Sequence, residues 1–108
     1  MSSDLAARNC EPCRIGTPPL NAEAAEQLRS QVPDWEIVDN HHLHRTFKFR
    51  NFTEALSFTN RVGEVAEAEG HHPDIHLTWG KVGIDVWTHK AGGLTDNDFI
   101  VAAKIDLL

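Results

Sequence analysis

Between Ala22 and Val32 the apolar residues Ala25, Leu28 and Val32 fall on one side of an otherwise polar run, the spacing of an amphipathic helix. Asn21 can accept hydrogen bonds from the first free amides, Glu23 and Glu26 lie near the positive end of the helix dipole, and Pro33 stops the element. The period then changes. Trp35 and Ile37 alternate with polar neighbours, Asp39-Asn40 supplies turn chemistry, and Leu43, Phe47 and Phe49 alternate with His42, His44, Thr46 and Lys48, which predicts a hairpin with one buried face. Asn51, with Glu54 three residues on, resembles a capping box, and Phe52, Ala55, Leu56, Thr59, Val62 and Ala66 recur at helical spacing up to Gly70. Ile75, Leu77 and Trp79 mark a third strand, Gly80-Lys81 a tight turn, and Val82, Ile84 and Val86 a fourth strand. After the break at Ala91-Gly92-Gly93, Thr95 and Asp98 form a capping box that opens a last helix carrying Phe99, Ala102 and Ala103.

The predicted order is α-β-β-α-β-β-α. Two hairpins whose strands each have one apolar face make a four-stranded antiparallel sheet, with three helices covering that face: an α+β two-layer sandwich over residues 20–108. Residues 1–19 show no apolar periodicity and end in Thr17-Pro18-Pro19, so they read as an arm, with the fold beginning after it. An open four-stranded sheet keeps edges that a second copy of the chain would cover, and a homo-oligomer is expected.

Composition narrows the function. The 108 residues are enough for one domain, and 41% hydrophobic with 24% charged residues is ordinary globular composition. A net charge of -6, with only ten Lys and Arg spread along the chain, argues against a nucleic-acid partner. No apolar run is long enough to span a membrane, and Met1-Ser2-Ser3-Asp4 lacks the basic start and apolar stretch of a secretory signal, so the cytosol is the expected compartment. Cys10 and Cys13 form a lone C-x-x-C in the polar arm, without the two further ligands of a zinc site or the strand-to-helix setting of a redox motif. They read as reduced and structurally marginal, with an intermolecular metal or disulfide contact as the alternative.

Seven histidines fall in two groups: His41, His42 and His44 on the first hairpin, and His71, His72, His76 and His89 beyond the long helix. Gly70 ends that helix, so His71 and His72 leave from a C-terminus whose dipole favours protonated imidazole. Pro73 forces His72 into extended backbone, which turns the two consecutive rings in different directions. His89, at the far end of the fourth strand, falls out of the core-facing set Val82, Ile84 and Val86 and joins Asp85 and Trp87. An antiparallel return through the Gly80 turn brings it back beside the start of the third strand, near His71 and His72.

The run Glu67-Ala68-Glu69-Gly70-His71-His72-Pro73, followed by Trp79, His89 and Asp98, resembles the signature of the pterin-4a-carbinolamine dehydratases. The resemblance covers about residues 20–108 and includes the element order derived above; the Cys-x-x-Cys arm with Gly16 and Pro18-Pro19 is similar to the extension of some bacterial members. It implies dehydration of a 4a-hydroxytetrahydropterin to the quinonoid dihydropterin in tetrahydropterin recycling, beside an aromatic amino acid hydroxylase system. It implies neither metal nor organic cofactor; the homo-oligomer expected from the open edges is a homodimer or homotetramer, with the choice left open. On this likeness His71, His72 and His89 are the catalytic imidazoles, without acid and base being assigned among them. Pro73, Thr88, Lys90 and Ala91 lie in segments lining the pterin, and Glu67 and Asp98 orient histidines. Histidine suits such a reaction because its unperturbed pKa of about 6.5 keeps both protonation states available. Many relatives carry an acidic residue where this chain has Gly70, and Lys90 replaces what is often an acidic or neutral residue; both changes bear on affinity or pH optimum.

Blander readings stand beside these. His42 and His44 read as the polar face of a strand, Trp79 as core or interface rather than a platform for a pterin, and Trp87 as a contact for a partner subunit or a ring. Only Glu67 lies at ligand spacing from the second histidine group, which weighs against a metal site. Animal relatives of the family also serve as dimerisation cofactors and other dehydratase-like proteins as assembly factors, so a non-catalytic dimerisation or assembly module on the same fold is the alternative function.

Overall fold

The computed structural model describes residues 4–12 and 14–108. The helix-period segments fold as α1 (Ala22–Arg29), α2 (Phe52–Glu69) and α3 (Asp96–Ile105), and the strand-period segments as β1 (Glu36–Val38), β2 (His42–Lys48), β3 (Asp74–Thr78) and β4 (Lys81–Val86). The sheet is antiparallel throughout with spatial order β1-β2-β4-β3, which leaves β1 and β3 at its edges. This is the α+β arrangement expected from the pattern.

Register separates the two faces. Leu43 pairs with Val86, Phe47 with Val82, and Ile75 with Ile84, so these side chains meet the helices. There they pack with Ala55, Phe58 and Val62 of α2 and Phe99, Val101 and Ala102 of α3. Leu43, Val82, Ile84 and Val86 are fully buried, and each contributes about 1.5–3 kcal/mol relative to exposure. The other face carries His44 opposite Asp85, and His76 opposite Gly83.

Four details differ from the sequence reading. Trp35 is not a strand residue: α1 ends at Arg29, the chain turns, and Trp35 drops into the core with its indole N–H donating to Asp106 Oδ1 at 2.8 Å. Trp79 is not core; placed at the turn that follows β3, it is 68% exposed. β4 stops at Val86, because Thr88 leaves the ladder to bridge Gly93, so His89 sits on the loop so closed rather than on a strand. Packing also starts before Pro18. Asp4–Ala7 forms a 3-10 turn whose Leu5 is 1% exposed within the core, and Lys104 on α3 donates to the Ala6 carbonyl at 3.0 Å. A single leucine in a polar segment has no period to reveal it.

Candidate functional site

Chain geometry at the end of α2 delivers the first two imidazoles. Gly70 adopts a left-handed conformation (φ 65°) and its amide returns to Ala66 O, as does the amide of His71 at 3.2 Å. A side chain is strained in that conformation, which suits glycine at the end of the helix. His71 turns inward, with a side chain only 13% exposed, and His72 outward at 58%. Each meets a carboxylate: His71 Nε2 lies 2.6 Å from Asp98 Oδ1 and His72 Nε2 2.5 Å from Glu67 Oε2.

Asp98 is fully buried at the start of α3, and its two oxygens divide their work. Oδ1 faces His71, while Oδ2 accepts from the Thr95 amide at 2.8 Å and the Thr88 hydroxyl at 2.9 Å. The helix cap and the histidine contact are therefore made by one carboxylate at once. A carboxylate is acceptor-only, so with Asp98 ionised His71 carries a proton on Nε2, leaving Nδ1 as its other exchange point.

The third imidazole arrives from the β4 side. Asp74 pairs with Asp85, so the chain leaving β4 passes His72 and His71. The Trp87 ring lies 4.6 Å from that of His89, centroid to centroid. His71, His72 and His89 all line one cavity of about 430 Å³, together with Trp87, Thr88 and Lys90. Pro73 and Ala91 stand outside that lining; Pro73 leads into β3, and the Ala91 amide donates to Thr88 O at 3.1 Å inside the loop. Glu67 reaches the cavity only through its contact with His72.

Cys10, Glu11 and Pro12 of the arm form another part of the wall, facing Glu69, Gly70 and Asn97. The Cys10 amide donates to Glu69 Oε1 at 2.8 Å. That bond does most to hold the Glu69 carboxyl below the usual carboxylate range, against the opposing effect of burial. Burial, reinforced by the Glu69 carboxylate, pushes the Cys10 thiol up to about 12, so it is a protonated, weakly reactive wall group. Cys13 lies outside the described residues, and with it the reading of the C-x-x-C as a pair.

The first histidine group has more structure than an exposed strand face. On the helix-free side His44 Nδ1 lies 2.7 Å from Asp85 Oδ1, and His42 Nε2 and His76 Nε2 approach the same carboxylate at 3.6 and 3.5 Å. The His41 ring packs at a tilt of 43° against Trp87, with centroids 5.1 Å apart. Among the described residues no group of three His, Cys, Asp or Glu side chains is placed to hold a metal ion. None of His42, His44 and His76 lines the cavity with the other imidazoles.

Three imidazoles, two of them paired with carboxylates, around a cavity of this size suit acid–base chemistry on a small molecule. The sequence reading had not recognised Glu69, Asn97 and the Cys10–Pro12 segment as parts of this wall. Glu69 carried a signal, since it stands in the last helical turn two residues before His71; the arm carried none.

Comparison with known proteins places the chain in a family. A family model described as pterin 4 alpha carbinolamine dehydratase matches residues 18–108. Relatives bearing that family's name include a protein of Rubrobacter xylanophilus, 58% identical over 98% of this chain and 99% of its own. Another, from Alkaliphilus metalliredigens, is 51% identical over 96% of this chain and 95% of its own. A crystal structure described as a transcriptional coactivator/pterin dehydratase from Brucella melitensis is similar with a TM-score of 0.78 and 27% identity, covering 82% of this chain and 96% of that one.

Proposed function

Because the chain belongs to the pterin 4 alpha carbinolamine dehydratase family, we propose that it dehydrates a 4a-hydroxytetrahydropterin by histidine acid–base catalysis in the cavity shared by His71, His72 and His89. The observation that carries this reading is the meeting of those three rings on one cavity. In the reaction the C4a–O bond breaks with its electron pair, a C4a=N5 double bond forms, and N5 loses its proton. One imidazolium protonates the departing hydroxyl to water while one neutral imidazole takes the N5 proton, so two of the rings exchange roles each turnover. No electron acceptor is needed. Asp98 and Glu67 hold two of those rings and set their tautomers. Trp87 and Lys90, with Thr88, flank the ring space; Pro73 and Ala91 shape the backbone on either side.

Two settings complete the proposal. The open edges at β1 and β3, with exposed Trp79 beside the latter, suit pairing with a second copy of the chain. Among the described residues no helix is long and apolar enough to cross a membrane, compatible with a cytoplasmic enzyme serving an aromatic amino acid hydroxylase. The description of the Brucella protein as a coactivator supports a second reading, a dimerisation or assembly module on this fold.

Rapid mixing separates the two. A 4a-hydroxytetrahydropterin generated in the cuvette should form the quinonoid absorbance faster in the presence of the protein, in proportion to its concentration. A rate unchanged from buffer would leave only the binding-module reading.

A further inference from the structure

The arm touches both segments that present an imidazole and the start of α3, which presents the Asp98 carboxylate. The Cys10 amide donates to Glu69, two residues before His71. Glu11 exchanges a pair of hydrogen bonds with the Asn97 side chain: its amide donates to Oδ1 at 3.0 Å, and its carbonyl accepts from Nδ2 at 2.6 Å. Asn97 precedes Asp98, the carboxylate that holds His71. Farther along, the Gly16 amide donates to the carbonyl of Lys90, next to His89, at 3.4 Å. Upstream, Leu5 is embedded in the core and Arg8 pairs with Asp96 at 3.0 Å.

This arrangement is more than a packed tail. Residues 10–12 themselves line the cavity, yet they lie before residue 18, where the match to the family model begins.

We propose that the arm is a strap that closes the cavity over the bound ring, a substrate-retaining element of this chain built on the pins Glu11–Asn97, Cys10–Glu69 and Gly16–Lys90. Its occupant is the bicyclic ring of the substrate proposed above, and the inference rests on that reading. The pins at Cys10 and Glu11 are backbone groups and the cysteine thiol stays protonated, so the strap acts by holding the ring while the imidazoles exchange protons. Contact with the ring both before and during the reaction lowers KM without altering kcat, the signature of uniform binding. Asn97 is then a positioning residue, acting through the Glu11 backbone.

Asn97→Ala removes both hydrogen bonds to Glu11 and leaves the three imidazoles in place. KM for the hydroxytetrahydropterin should rise about tenfold while kcat falls by less than about threefold. In the wild-type protein, saturating dihydropterin should slow amide exchange at Cys10 and Glu11 at least several-fold, a change that a tail serving only stability would not show. Arg8→Ala, which loosens the strap outside the cavity, should raise KM by a smaller factor. Tryptophan fluorescence quenching reports independently whether the wild-type protein binds dihydropterin at all. If it binds and turns over pterin, yet Asn97→Ala keeps its KM and the two amides exchange unchanged, the strap is refuted and the dehydratase stands. If the wild type neither binds nor turns over pterin, both readings fail together.

Discussion

Replacing Asp98 by Asn is the most informative single perturbation of the site. The carboxylate is fully buried and accepts from three donors: the His71 ring at 2.6 Å, the Thr88 hydroxyl at 2.9 Å and the Thr95 amide at 2.8 Å. An amide of the same shape offers one oxygen and one NH2, and whichever way it lies, one side faces the wrong partner. If the oxygen stays with Thr88 and Thr95, the NH2 meets His71 Nε2, which must become an acceptor. The ring proton then moves to Nδ1, reversing the proton-exchanging nitrogen. If the amide flips, the cap of α3 is broken and an N–H faces the Thr95 N–H. Losing one charge-assisted hydrogen bond costs about 1.5–3 kcal/mol of stability, and a wrong tautomer about 10²- to 10⁴-fold in rate. Urea unfolding followed by fluorescence and rapid-mixing turnover on the same preparation measure both. A variant that keeps more than a third of wild-type kcat would show that Asp98 does not set the state of a catalytic ring.

His72→Ala and His89→Ala should each slow turnover by about 10²- to 10⁴-fold with folding intact, as judged by circular dichroism, and full activity in the double variant would remove the assignment. Activity should survive exhaustive treatment with a chelator; complete loss, restored by a divalent ion, would require a metal in the reaction. In a Cys13→Ser background, Cys10 should react with iodoacetamide at pH 8 about 100-fold or more slower than a free thiol, because burial raises its pKa to about 12; equal rates would mean that the arm lies open. Glu69 is held below its unfolded value of 4.5, so the unfolded chain takes up that proton first. Its stabilisation is complete above that pH and is lost as pH falls through the folded value, so Glu69→Gln should flatten the acid limb of a stability–pH curve; an unchanged limb would contradict the Cys10–Glu69 bond.

How much of this was written in the residue pattern depends on what each feature leaves in sequence. Helices with caps at Asn21, Asn51 and Thr95 and strands with clean alternation were legible, because burial of one face imposes a period. The meeting of His71, His72 and His89 followed from a hairpin return and a helix stop, both local geometry. Trp79 misled because alternation continues past the end of β3, where the turn at Gly80 leaves the ring outside. The partnership of Asp106 with Trp35 and Arg45, and the docking of Leu5 and Cys10, join residues roughly sixty to a hundred positions apart. Such contacts leave no period and no spacing, so only the assembled fold displays them.

A structure with a dihydropterin bound tests the heart of the account most directly. The ring should lie in the cavity with its C4a–N5 edge within hydrogen-bond reach of at least two of the imidazoles of His71, His72 and His89. A ring seated elsewhere, or one in this cavity with that edge turned away from all three, would contradict it.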